Sequence, residues 1–176
     1  MIHFLQRIGE GYRVSVSYHN DLHGCDVAQQ MYSFLTKGDL AKIAKLNYLD
    51  QLSALVAAAC HDYDHDGFNN AYHVKFMTDR AIRANDKAVQ ENWHAAKSMK
   101  ILLSPECKFL EDILPGQLKV IKMRITGMIL ATDMASHQGP LEALQKKIES
   151  KHVTKEKQNS SALIESVSEI DLFKNQ

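Results

Sequence analysis

The residues able to do chemistry concentrate in CHDYDHDGFNN at positions 60–70, where His61, Asp62, Asp64, His65 and Asp66 lie within six positions. The preceding run LSALVAAAC is small and apolar, so charge emerges straight from a segment suited to burial. Burying an unpaired carboxylate is very costly, and buried charges are therefore paired or hold metal. On that ground His61 and Asp62 are read as metal ligands. Asp64 and Asp66 point to other faces and are read as a solvated acidic turn, with Gly67 letting the chain leave the helix.

A second cluster is YHNDLHGCDV at 18–27. His19 and His23 are four residues apart, which on a helix sets two Cβ atoms about 5–6 Å apart on one face. Only His23 falls well inside the expected helix, and such a pair by itself is more often structural than ligating. The two clusters together say more. One imidazole plus an adjacent His-Asp pair offers N, N and O donors suited to Zn²⁺ or a similar ion. The second oxygen of Asp62 could reach a harder ion such as Mg²⁺, which keeps several waters. Two ions about 3.5–4 Å apart are the usual apparatus for hydrolysing phosphate esters. No GxSxG, P-loop or HExxH appears, which removes the obvious competing chemistries.

Helices must position these groups. Leu49, Leu52, Leu55, Val56 and Ala59 recur at the spacing of one helix face, as do Leu118, Ile121, Ile125, Met128 and Ile129. Helices are expected near 21–37, 46–61, 70–83, 88–103, 117–137 and 140–150. RVSVSY at 13–18 is the one tempting strand. The fold class is therefore all-α, a compact multi-helix bundle. The run KHVTKEKQNSS at 151–161 is polar and aperiodic and reads as a flexible loop.

Composition agrees with one ordinary globular domain, at 45% hydrophobic and 24% charged residues. Lys plus Arg and Asp plus Glu are both 21, which argues against nucleic acid or an anionic membrane as the main partner. Cys25, Cys60 and Cys107 lie far apart with no CxxC spacing, and read as reduced thiols, the first two buried. Met31, Met77, Met99, Met123 and Met128 read as core filling. MIHFLQRIGE is not a signal peptide, and no apolar run is long enough to span a membrane. The expectation is a soluble, cytoplasmic protein.

YHNDLHGCDV, HDYDHDGFNN, ANDKAVQENWHAA and ILATDMASH, in this order, resemble the successive motifs of the class I 3′,5′-cyclic nucleotide phosphodiesterases, a helical branch of the His-Asp metal phosphohydrolases. The resemblance runs from about Tyr18 to the end of the chain. It implies hydrolysis of cyclic AMP or cyclic GMP to the 5′-monophosphate in signal transduction. It further implies two divalent ions, usually Zn²⁺ and Mg²⁺, held by His23, His61 and Asp62, with Asp62 bridging. His19 matches the general acid and Glu91 the residue that orients it. His65, Glu91 and Thr132 match groups holding waters on the harder ion. Asn70 matches the asparagine after the His-Asp motif, while Tyr18 and Met134 match positions at the nucleotide pocket.

The sequence also departs from that pattern. Asp66 stands where the family usually has proline, Gly24 where it has alanine, and Trp93 at the first place of a His-His pair, leaving His94 beside Glu91. The resemblance places a fourth metal ligand, an aspartate, in a later helix, beyond the stretch matched by IDLFKNQ. On that reading residues 1–176 form the N-terminal half of a catalytic domain, expected to bind metal weakly and turn over little by itself. The alternative is a non-catalytic subunit or scaffold whose apolar helix faces meet a protein partner.

Overall fold

In a computed structural model of the chain, residues 1–139 and 141–150 are described. The chain divides into two units, Met1–Ala135 and Ser136–Gln176, and every residue named as a site lies in the first. The first unit is all-α: α1 (Ile2–Gly11), α2 (Asp21–Thr36), α3 (Leu40–Ile43), α4 (Tyr48–Cys60), α5 (Asn70–Lys75), α6 (Asp79–Ala84), α7 (Val89–Leu102) and α8 (Pro115–Leu130). Short 3₁₀ turns occupy Lys108–Leu110 and Met134–Ser136. No strand occurs among the described residues. In the second unit, residues 141–150 are helical. The loop expected at 151–161 lies outside the described residues.

Capping chemistry sets the helix starts that matter for function. Asn20 is extended (φ −117°), and its side chain accepts from the backbone N–H groups of Leu22 and His23, so α2 begins at Asp21. Asn47 and Asp50 form a reciprocal capping box at the head of α4. Along α4 the buried side chains are Ser53, Ala54, Val56, Ala57, Ala58 and Cys60, small enough for helices to approach closely. α4 packs against both α2 and α8, and α7 against α8, α6 and α1. The core joins Phe4, Ile8 and Tyr12 of the α1 region to Val56, Ala57 and Cys60, Met99 and Leu102, and Ile121, Ile125 and Ile129.

Several expectations are corrected. The helix expected at 70–83 is two helices, because Met77 takes a left-handed φ of 47° and the Thr78 side chain caps α6. The helix expected at 117–137 ends at Leu130. RVSVSY forms turns, with no partner strand to pair with among the described residues. Helices α1 and α3 were not expected; the Phe4-Ile8-Tyr12 spacing is the signal that marks α1. Met77 and Met123 are 75% and 66% exposed and so fill no core, whereas Met99 is buried. Cys25 is exposed, while Cys60 and Cys107 are buried.

Candidate metal centre

α4 ends where the chemistry begins. His61 is its C-cap residue, and His61 Nδ1 lies 2.9 Å from the carbonyl oxygen of Ala58. Donation from Nδ1–H to that carbonyl leaves Nε2 with a free lone pair. This Nε2 lies 3.1 Å from His23 Nε2 and 3.0 Å from Asp62 Oδ2, and His23 Nε2 lies 3.2 Å from the same oxygen. His23 reaches the triangle from the first turn of α2.

Donors held about 2.1 Å from one ion stand about 3.0 Å apart at right angles and about 3.4 Å apart in a tetrahedron. The triangle thus has the size of one face of a coordination shell. Two imidazole nitrogens and a carboxylate oxygen facing one another repel unless a cation or proton lies between them. Burial raises the Asp62 pKa, but its hydrogen bond and Coulombic attraction to His61 outweigh that and hold the carboxyl near 2. Burial pushes His23 down, reinforced by the charge of His61. Burial also pushes His61 down, but the hydrogen bond and charge of Asp62 reverse the sign and raise it. His61 is therefore the more basic of the two rings. Among the described residues His23, His61 and Asp62 are the group able to hold a metal ion.

A second observation supports the fit. His94 is 1% exposed, and its Nδ1 lies 2.6 Å from the carbonyl oxygen of Tyr63. Its Nε2 is buried without a partner, 3.9 Å from Asp62 Oδ1. Burial pushes His94 down to about 4, so the ring is neutral at pH 7 and Nε2 is an acceptor. The outer oxygen of Asp62 and this nitrogen thus converge on a point that needs a donor or a cation.

His19 lies before α2, because Asn20 takes the cap position, so the His19-His23 pair is not a helical i, i+4 pair. Their ring centroids are 5.8 Å apart, edge to face. His19 instead stacks on His65 at 4.1 Å with 15° between planes, and His65 stacks towards His94 at 5.5 Å. His65 Nδ1 accepts from the Gly67 backbone N–H, and burial pushes its pKa to about 4. The ring beneath His19 is therefore neutral at pH 7.

His19, His61, Asp62, His65, Asn70, Glu91, His94, Thr132 and Met134 all line one open cleft of about 780 Å³. The structure thus brings eight of the ten expected site residues, His61 and Asp62 of the ligand triangle among them, to one cleft, while His23 and Tyr18 border a neighbouring hollow. Tyr18 does not line that cleft. It is 64% exposed, stacks against His23 at 4.7 Å, and borders a neighbouring hollow with His23 and Asp26. Glu91 accepts from Asn70 Nδ2 at 2.9 Å, and Asn70 Oδ1 accepts from the Gln90 backbone N–H at 2.9 Å. No hydrogen bond joins Glu91 to His19 among the described residues. One side-chain amide therefore caps α7, which lacks a side-chain cap at Ala88, and fixes Glu91. Thr132 Oγ1 donates to the Ile129 carbonyl, and Met134 is exposed at the cleft rim.

The acidic turn differs from the sequence reading. Asp64 and Asp66 are 19% and 16% exposed and fully engaged. Asp64 accepts from Arg13 Nε at 2.8 Å and Trp93 Nε1 at 2.8 Å, and Arg80 Nη2 donates to its backbone carbonyl at 3.0 Å. Asp66 accepts from Gln90 Nε2 at 2.7 Å, meets His73 Nε2 at 3.2 Å, and pairs with Arg80 Nε at 3.5 Å. Arg80 also donates to Gln90 Oε1. Sequence reasoning missed Arg80 and Gln90, since no local motif marks them.

The fold and the site thus define an all-helical class of protein with a candidate metal centre, a His-His-Asp triangle, at a helix end. Residues 18–170 match the family described as 3′5′-cyclic nucleotide phosphodiesterase. The chain belongs to that family. It is 39% identical over 134 residues to the 3′,5′-cyclic-nucleotide phosphodiesterase regA of Dictyostelium discoideum, covering 76% of this chain and 17% of that protein. It is 39% identical to the human high affinity cGMP-specific 3′,5′-cyclic phosphodiesterase 9A, covering 75% and 22%. The phosphodiesterase domain of the RhoPDE fusion protein from Salpingoeca rosetta superposes with a TM-score of 0.75 at 30% identity, covering 82% of this chain and 44% of that one. The chain thus spans about a fifth of the curated relatives it matches and under half of the solved domain.

Proposed function

We propose that this site serves the hydrolysis of 3′,5′-cyclic nucleotides to 5′-monophosphates, with His23, His61 and Asp62 holding divalent metal and His19 as general acid. The observation that carries the reading is the donor triangle of 3.0–3.2 Å edges at the wall of the cleft. Zn²⁺ suits the two nitrogens and one oxygen, and Asp62, with its Oδ1 turned towards His94, offers an oxygen to a second, harder ion such as Mg²⁺. Metal bound here supplies Lewis acidity and lowers the pKa of a water.

The chain's own residues do the rest. His19, held by its stack on His65, gives its proton to the leaving O3′. Glu91, fixed by Asn70, places a carboxylate on the same cleft wall. His65 and Thr132 present acceptors or donors for waters in the cleft, and Met134 gives an apolar rim for the base. Free thiols at all three cysteines fit a reducing, cytoplasmic setting. No helix among the described residues is long and apolar enough to cross a membrane.

The test is release of 5′-monophosphate from cyclic AMP and cyclic GMP with added Zn²⁺ and Mg²⁺. His61→Ala or Asp62→Ala is expected to abolish it, and activity surviving either change would overturn the assignment. A second reading, a non-catalytic subunit, draws on the exposed Leu22, Tyr32 and Phe34 of α2 and Ile43 of α3, a surface suited to a protein partner. A metal-free chain locked in a hetero-assembly, by metal analysis and hydrodynamic mass, would favour it.

A further inference from the structure

On the side of α7 away from the cleft, α6 and α7 enclose a groove of about 370 Å³. Its lining includes Arg80, Arg83, Trp93, Lys97 and Lys100. The Arg80 guanidinium lies 4.5 Å and the Lys97 ammonium 4.7 Å from the Trp93 ring centroid. Four cations thus gather in one concavity of a chain whose formal net charge is zero. Their neutralisation is uneven. Arg80 faces inward to Asp64 and Asp66, and Arg83 pairs with Asp79 at 2.6 Å on the surface. Lys97 and Lys100 have no carboxylate partner among the described residues.

The groove is a built feature. The Trp93 indole is anchored by its N–H on Asp64, and Arg80 is 8% exposed and bonded on both sides, so one wall is held rigid. Asp66 and Trp93 meet at Arg80 in this wall. Lys97 and Lys100 stand about one turn apart on α7, on the groove side of the helix with Trp93. One indole already engaged by two cations is no platform for stacking successive bases, which nucleic-acid grooves use. An extended peptide presents alternate side chains about 6.6–7 Å apart on one face, a spacing matched to such a row of cations.

We propose that the α6–α7 groove is a docking site for an acidic peptide segment of a partner protein, its carboxylates pairing with Lys97 and Lys100 and its chain lying against Trp93. The groove wall and the metal-bearing turn share Asp64, so a bound segment sits one residue network away from His61 and Asp62.

Trp93 is the sole tryptophan, so its emission reports this groove and no other part of the chain. The experiment titrates a short peptide alternating glutamate and serine into the whole chain at low salt, with a glutamine-for-glutamate peptide as control. A saturable emission change with the first peptide alone is expected. The double variant Lys97→Ala/Lys100→Ala should weaken binding about fivefold or more, since each exposed pair contributes modestly. Lys100→Glu, at an exposed position, should weaken it too, and Lys119→Ala/Lys122→Ala on α8 should leave it unchanged. Circular dichroism of each variant confirms that the helices persist. No saturable change, equal binding by the Lys97/Lys100 variant, or tighter binding of inorganic phosphate or a short single-stranded oligonucleotide overturns the proposal. None of these readouts depends on hydrolysis, so the outcome is independent of the proposed activity.

Discussion

Asp66 looks like a solvent-facing turn residue in a sequence so rich in charge, yet it is the hub that ties three segments together. Burial would raise its pKa, but the hydrogen bond from Gln90 and the charges of Arg80 and His73 outweigh this and hold it below the ordinary carboxylate value. A carboxyl whose folded pKa is depressed contributes stability in full above its unfolded pKa of about 3.9, and loses it as pH falls through the folded value. Asp66→Asn is therefore expected to lower stability at neutral pH by about 1–2 kcal/mol, with the gap to the native chain closing in acid. Urea unfolding at pH 7 and near pH 3 checks this; an equal gap at both pH values would remove the ionic account. That His61 and Asp62 would face a shared point was legible in the sequence, because an adjacent His and Asp after an alanine-rich helix leave few alternatives. The roles of Asp64 and Asp66 were not, because Arg80, Gln90 and Trp93 reach them across 14 to 29 positions.

At the scale of elements, helix starts place the site and one unexpected helix braces it. Tyr12, following α1, donates its hydroxyl to the Ala59 carbonyl near the end of α4 and lies against Gly24 of α2. A Cβ at Gly24 would stand 2.9 Å from the Tyr12 ring, which accounts for glycine at this position. Gly24→Ala should thus lower stability by about 1–2 kcal/mol, overpacking exceeding the gain in helix propensity. Gly127→Ala on α8, where a Cβ meets nothing within 4 Å, should raise it by up to about 1 kcal/mol. Thermal melts of the two variants should move in opposite directions, and movement in the same direction would contradict the packing argument. Long amphipathic helices such as α4, α7 and α8 were readable from their periodicity. The break between α5 and α6 was not, because a left-handed Met77 and a Thr78 cap bonded to His73 leave no trace in apolar spacing.

For the molecule as a whole, ions that bind the folded centre and not the unfolded chain must stabilise it. At about a hundredfold excess over the dissociation constant the gain is about 2.7 kcal/mol, which for a chain of this length raises Tm by about 5–10 °C. Zn²⁺ is expected to produce that rise, a chelator to reverse it, and His23→Ala or His61→Ala to abolish it, as read by a thermal melt. A rise of equal size in either variant would place the bound ion elsewhere. The sequence by itself determined the helical class and the family and pointed to the residues of the donor triangle, because these reside in local periodicity and in short ordered motifs. The tertiary structure alone decided that His19 stands outside its helix and stacks on His65, that Asn70 holds Glu91, and that the acidic turn is locked by Arg80. Each of these depends on a cap or a long-range pairing, and such contacts are selected by packing between helices rather than by the residues adjacent in the chain.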